Sequence, residues 1–203
     1  MTSDPLPAHS LAEAYLYLMA TPCPRCGRGP LRGEDARPEP GDGRARLTIS
    51  VRCGVCGSQD EYVFTVPTDR LSLEALGATG PAGRLNPTDQ PSQILDVGQW
   101  IMLFRMITEA ASKHRDKIEA RRLGYEAAQC LEEALKFYDE DNDLPPDDAL
   151  FHESSRRRRR EHPGEFSRER LIELRAKLPT LDTMEASQFV SRKAKRKWWA
   201  WWR

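Results

Sequence analysis

The sequence predicts an α+β chain whose two classes lie one after the other. A small cysteine-pinned β unit with a covering helix comes first, then an α-helical hairpin or bundle, then a basic, tryptophan-rich tail. Three observations predict this. Two Cys-x-x-Cys pairs flank segments that alternate apolar and polar residues with a period of two. From Asp96 onward the hydrophobic period becomes that of a helix. The closing stretch, SRKAKRKWWAWWR, joins a run of cations to a run of tryptophans.

The composition sets bounds on these elements. The chain has 203 residues, 31% charged and 39% hydrophobic, which fits one domain or two small ones with a modest core. A net charge of zero hides an asymmetry. Residues 1–95 carry 9 Lys and Arg against 11 Asp and Glu, residues 96–150 carry 7 against 13, and residues 151–203 carry 15 against 7. An acidic middle and a basic end predict either contact within the chain or an anionic partner for the tail. The first residues lack the basic start of a secretory signal, and Glu13 interrupts their apolar run. No stretch of about 18 apolar residues is present, so no transmembrane segment is expected. The expected compartment is the cytoplasm, where thiols stay reduced and paired cysteines act as ligands.

The first element is a helix. Ser10 in SLAEAYLYLM is an N-cap with Glu13 three residues on, the pattern of a capping box, and Leu11, Tyr15, Leu16 and Leu18 form its apolar side. The cysteine pairs follow: Cys23 and Cys26 in CPRCG, Cys53 and Cys56 in CGVCG. A Cys-x-x-Cys turn converges two thiolates on one ion, and two such turns supply a closed tetrahedral set for Zn2+. Around the second pair, Leu47, Ile49 and Val51 alternate with Thr48 and Ser50, and Tyr62, Phe64 and Val66 repeat the pattern after it. Both stretches are expected to be strands. The intervening GEDARPEPGDGRA is expected to be a polar Gly/Pro loop. A redox pair would instead sit between a strand and a helix, and a catalytic zinc would carry a His or carboxylate ligand and an open position.

Turn, strand, loop, strand, turn, strand over roughly residues 20–68 resembles the zinc-ribbon family, on the strength of CPRCG, CGVCG and the flanking strands. The resemblance implies one structural metal ion held by Cys23, Cys26, Cys53 and Cys56. It implies no single function, since ribbons occur in transcription factors, ribosomal proteins and enzyme appendages. The spacer of 26 residues between the pairs is slightly long for the family.

The domains expected are residues 1–68 for the helix and ribbon, 69–94 for a Pro/Gly linker with at most a helical turn at Leu71–Leu76, 95–180 for about four helices, and 181–203 for the tail. In the helical part, Asp96 and Gln99 form a capping box for a helix carrying Val97, Trp100, Ile101, Phe104 and Ile107. A second helix over residues 116–138 places Leu123, Ala127, Cys130, Leu131 and Ala134 on one stripe, with Gly124 and Ala127 expected to admit the first helix closely. Cys130 is expected to be a buried core thiol. The acidic stretch at residues 139–143 lacks calcium-loop spacing and is expected to be a solvated helix end. Pro145 and Pro146 are expected to open a third helix through the arginine run, and Ser167 to cap a fourth, with Phe166 stapled to Leu171.

Two basic features are candidates for partner binding. Arg156, Arg157, Arg158, Arg159 and Arg160 spread round a helix, with Glu153 and Glu161 as intrahelical partners. They are expected either to dock on the acidic middle or to hold phosphate. In the tail, Lys193, Lys195, Arg196 and Lys197 precede Trp198, Trp199, Trp201 and Trp202. This composition suits docking on the protein itself, stacking on nucleic-acid bases, or peripheral contact with a membrane surface. The four histidines are scattered, and no phosphate loop or nucleophile elbow is present. The expectation is therefore a non-catalytic zinc-binding adaptor with a protein partner, with a nucleic-acid-associated protein as the alternative.

Overall fold

Strict alternation in the first third of the chain builds a sheet. The computed structural model describes residues 4–71 and 85–180, and the chain divides between Pro87 and Thr88 into two compact units. Among the described residues the architecture is mixed α+β, with one four-stranded sheet and five α-helices. The tail with its candidate residues, and the helical turn expected after Leu71, lie outside the described residues.

In the first unit, β1 (Leu6–Pro7), β2 (Leu31–Glu39), β3 (Arg44–Cys53) and β4 (Gln59–Pro67) lie in the order β1-β4-β3-β2. β3 is antiparallel to both neighbours, and β1 runs parallel to β4. The inward residues Leu47, Ile49, Val51, Phe64 and Val66 are buried, because a period of two sends them all to one face. The helix α1 (Leu11–Ala20) covers that face, where Tyr17 stacks edge-on against Phe64 at 5.8 Å and Tyr62 at 6.2 Å. Gly33 lets α1 approach, since a Cβ there would lie 2.5 Å from Tyr15 Cε1.

The expected loop between the cysteine pairs is mostly strand. Residues 33–39 belong to β2, and only residues 40–43 connect it to β3. Proline and charge made this stretch look like a loop. β2 is an edge strand, where Pro38 removes an N–H that the ladder does not need and where Arg32, Glu34, Asp35 and Arg37 meet solvent. A register shift between Gly33 and Asp35 marks a bulge.

The α1 cap also differs in detail from a capping box. Ser10 Oγ accepts from Glu13 N at 3.1 Å, as expected, but the Glu13 carboxylate accepts from His9 N rather than from Ser10. Glu13 is fully buried and also faces His9 Nδ1 at 3.1 Å.

The second unit is built on the hairpin of α2 (Val97–Lys113) and α3 (Lys117–Leu135). The capping box forms as expected: Asp96 Oδ1 accepts from Gln99 N at 2.9 Å, and Gln99 Oε1 accepts from Asp96 N at 3.1 Å. Trp100, Leu103, Ile107, Ala127, Cys130, Leu131 and Ala134 are buried, and Cys130 is a core thiol. Gly124 serves a different neighbour from the one expected. A Cβ there would lie 3.1 Å from Pro179 Cδ, so it makes room for the chain after the last helix.

The third helix does not begin at the prolines. A 3-10 turn covers Asp147–Ala149, the chain then extends, and α4 (Glu153–Glu161) starts afresh after His152. Buried Asp96 sets this start: its Oδ2 accepts from His152 N at 2.9 Å and its Oδ1 from Ser155 Oγ at 2.7 Å. Gly98 completes the contact, since a Cβ there would sit 2.4 Å from Ser155 Oγ.

The last helix, α5 (Arg168–Ala176), begins where Ser167 Oγ accepts from Arg170 N, with Phe166 and Leu171 both buried. Asp143, read as part of a solvated end, helps to cap it. Its Oδ1 accepts from Glu169 N at 3.0 Å and Ser167 Oγ at 3.1 Å. These bonds, first the Glu169 amide and then the Ser167 hydroxyl, hold the Asp143 carboxyl below its ordinary range. A depressed native value gives stability that is present above the unfolded value of about 4 and is lost as pH falls through the native one. Asp143→Asn is expected to flatten the acid limb of the stability curve of the helical unit, measured as the urea midpoint between about pH 6 and pH 2. Identical acid limbs for wild type and variant would refute the assignment.

Candidate metal centre

Each cysteine pair sits on a tight turn, and the two turns are built alike. Cys23 N donates to Arg28 O at 2.7 Å and Gly27 N to Cys23 O at 2.8 Å. Cys53 N donates to Ser58 O at 2.8 Å and Gly57 N to Cys53 O at 3.0 Å. The last turn position needs a left-handed backbone, and glycine supplies it at Gly27 (φ 67°) and Gly57 (φ 71°). β3 carries the second turn directly at its end, and the pairing of Leu31 with Cys53 brings the first turn alongside. Cys23 and Cys53 are buried, Cys26 is half-buried and Cys56 is exposed.

The four Sγ atoms lie within 4.8 Å of one another. Cys23 and Cys56 stand 3.8 Å apart and Cys26 and Cys53 3.7 Å apart. A tetrahedron with metal–sulfur bonds of about 2.3 Å has an edge of about 3.8 Å. The cluster therefore has the dimensions of a four-thiolate metal site, and these residues can hold a metal ion. All four cysteines are free thiols, and each close contact joins one turn to the other rather than the two cysteines of one Cys-x-x-Cys pair.

Electrostatics in the cluster are uneven. Ser58 Oγ lies 3.2 Å from both Cys23 Sγ and Cys56 Sγ. This hydroxyl is the main cause pulling the Cys23 thiol down to about 6, and it lowers Cys56 as well. The Arg28 backbone pulls Cys26 down, but desolvation and its three sulfur neighbours outweigh it and push that thiol up to about 11. Like charges at this spacing oppose one another, and a bound cation is what lets all four ionise. Ser58 carried no signal in the sequence; only its place after the second turn, matching Arg28 after the first, marks it in retrospect.

The arginine run is not a single basic patch. Arg156 donates to the carbonyls of Leu150 and Phe151, both at 2.7 Å. Arg158 pairs with Glu165, which Arg105 also meets at 2.9 Å, and Arg159 pairs with Asp147. The expected partners Glu153 and Glu161 are not used, because the guanidiniums reach past their own helix to the flanking turns. Arg157 and Arg160 are exposed and make no ion pair with a described residue. Arg156, Arg159 and Arg160 line an open groove of about 920 Å³ that also carries Asp147 and Asp148, so its lining is mixed in sign.

No protein-family model matches the chain, and no curated protein or solved structure does so either. Among the described residues, no helix is long and apolar enough to cross a membrane.

Proposed function

We propose that the first unit is a zinc ribbon with one structural Zn2+ held by Cys23, Cys26, Cys53 and Cys56, and that the chain is a non-catalytic adaptor. The convergence of four thiols at tetrahedral spacing carries the reading. Four thiolates suit zinc, saturate its coordination and leave no open position for a substrate or water. Such a site stabilises a small sheet rather than doing chemistry, and it calls for a reducing compartment such as the cytoplasm. In the second unit, the α2–α3 hairpin with α4 and α5 offers a helical module for a protein partner. The tail from residue 191 would serve as an anchor.

Elemental analysis of the reductively purified chain is expected to give about one zinc per chain. Less than about a tenth of that, with no other metal present, overturns the metal centre. Affinity capture with the full chain and with a chain lacking residues 191–203 tests the adaptor role. A specific protein captured by the full chain supports it, and none captured by either counts against it.

The nucleic-acid reading is favoured by one observation, that Arg157 and Arg160 on α4 are exposed and make no ion pair with a described residue. It is weaker, because three of the five arginines are already engaged within the protein. Binding of single-stranded RNA that weakens steeply with salt would support it, and no binding at low salt would exclude it.

A further inference from the structure

The two cysteine turns share their backbone hydrogen bonds but differ at one equivalent position. Arg28 follows the first turn where Ser58 follows the second, each accepting the amide of the leading cysteine through its carbonyl. Arginine has no hydroxyl to offer. Ser58 Oγ stands 3.2 Å from Cys56 Sγ of its own turn and 3.2 Å from Cys23 Sγ of the other. Once the sulfurs are metal-bound thiolates they carry no proton, so the hydroxyl is the donor and its single proton is shared between the two sulfurs. Cys53 Sγ accepts from Val55 N at 3.4 Å. The Arg28 backbone steadies the Cys26 thiolate as the Ser58 backbone steadies Cys56, but no hydroxyl reaches Cys26 among the described residues.

We propose that Ser58 is a positioning residue which clasps Cys23 and Cys56 across the two turns, leaving Cys26 as the thiolate through which electrophiles open the metal centre. The proposal rests on the metal centre described above. A hydrogen bond draws charge from a thiolate sulfur and lowers its nucleophilicity. Cys56 is the most exposed of the four, Cys26 is half-buried, and Cys23 and Cys53 are buried. Exposure alone therefore selects Cys56, whereas the added hydroxyl contact at Cys56 and Cys23 turns the preference toward Cys26. In alkylation by iodoacetamide, the thiolate lone pair forms a carbon–sulfur bond and iodide leaves. The resulting thioether is neutral, so the metal loses an anionic ligand and is released.

The test uses the full chain loaded with zinc, its metal content measured first, then treated with less than one equivalent of iodoacetamide and mapped by peptide mass spectrometry. Cys26 is expected to be modified about twofold more than Cys56, the factor that a hydrogen bond of about 1 kcal/mol gives when it is shared between two sulfurs. In Ser58→Ala the two are expected to approach parity or invert, and Ser58→Thr is expected to restore the preference. A second readout uses the cobalt(II)-loaded chain. Ser58→Ala should move its sulfur-to-metal charge-transfer band to lower energy while the ligand-field bands stay tetrahedral. A chain that takes up no metal overturns the metal centre and this proposal together. A loaded chain modified first at Cys56 or Cys23, or a Ser58→Ala variant with unchanged partition and spectrum, overturns this proposal alone.

Discussion

Removing the metal with a strong chelator is expected to melt the sheet unit and spare the helical one. The sheet's apolar core rests on a few inward residues of β3 and β4 under one helix, and Cys23 and Cys53 are buried at its edge. A core this small gains much of its stability from a ligand that binds only the folded form. At free metal 1,000-fold above the dissociation constant, that contribution is about 4 kcal/mol. Amide hydrogen exchange reads the two units separately. Ile49, Val51 and Phe64 should lose at least about a hundredfold in protection on chelation, while Leu103 and Leu131 keep theirs. Cys53→Ser should reproduce the loss without chelator, because it removes one ligand and leaves the ion with three. Cys130→Ser should leave the metal content unchanged, since that thiol is buried in the helical core. Full protection of Ile49 and Phe64 after verified metal removal would refute a structural role for the centre.

Asp96→Ala is expected to be the most damaging single substitution in the helical unit. The Asp96 carboxylate is fully buried and accepts three hydrogen bonds: from Gln99 N at 2.9 Å, His152 N at 2.9 Å and Ser155 Oγ at 2.7 Å. The first caps α2 and the other two fix the start of α4. Loss of an N-cap costs about 1 kcal/mol, and each buried donor left without a partner costs about 1–3 kcal/mol. These terms overlap, so a total of about 3–4 kcal/mol is expected, read as a lower urea midpoint with an unchanged slope. Asp96→Asn keeps an acceptor for one or two of the three donors and should fall between. Ser155→Ala should cost less than Asp96→Ala, since it removes one of the three bonds and leaves the other two donors satisfied. A loss below about 1 kcal/mol for Asp96→Ala would mean that α4 is not held through this carboxylate.

The two predictions draw on features of different legibility. The four-cysteine cluster, which could hold a metal ion, was readable because Cys-x-x-Cys turns are local: four residues and a glycine fix where the sulfurs go. β3 and β4 were readable because their alternation is undiluted by other demands. The capping box at Asp96 and the Ser10 N-cap were also visible, as both depend on residues three apart, although the Glu13 side chain turns to His9 rather than closing a box at Ser10. β2 was hidden because an edge strand needs neither apolar alternation nor a full set of N–H donors, so its proline and charges imitated a loop. The second role of Asp96 could not be seen, since His152 and Ser155 lie more than fifty positions away in sequence. The role of Asp143 as a cap for α5 was obscured for the same reason.

The sequence by itself determined the α+β class, the four sulfurs, the helical hairpin and the burial of Cys130. Local periodicity and short-range turn chemistry are enough to specify these. Only the tertiary structure decided which arginines are engaged, what Gly98 and Gly124 make room for, and that one serine touches two of the four sulfurs. Those outcomes depend on which distant backbones come within about 3 Å of one another. Chain topology sets that proximity, and no local pattern records it.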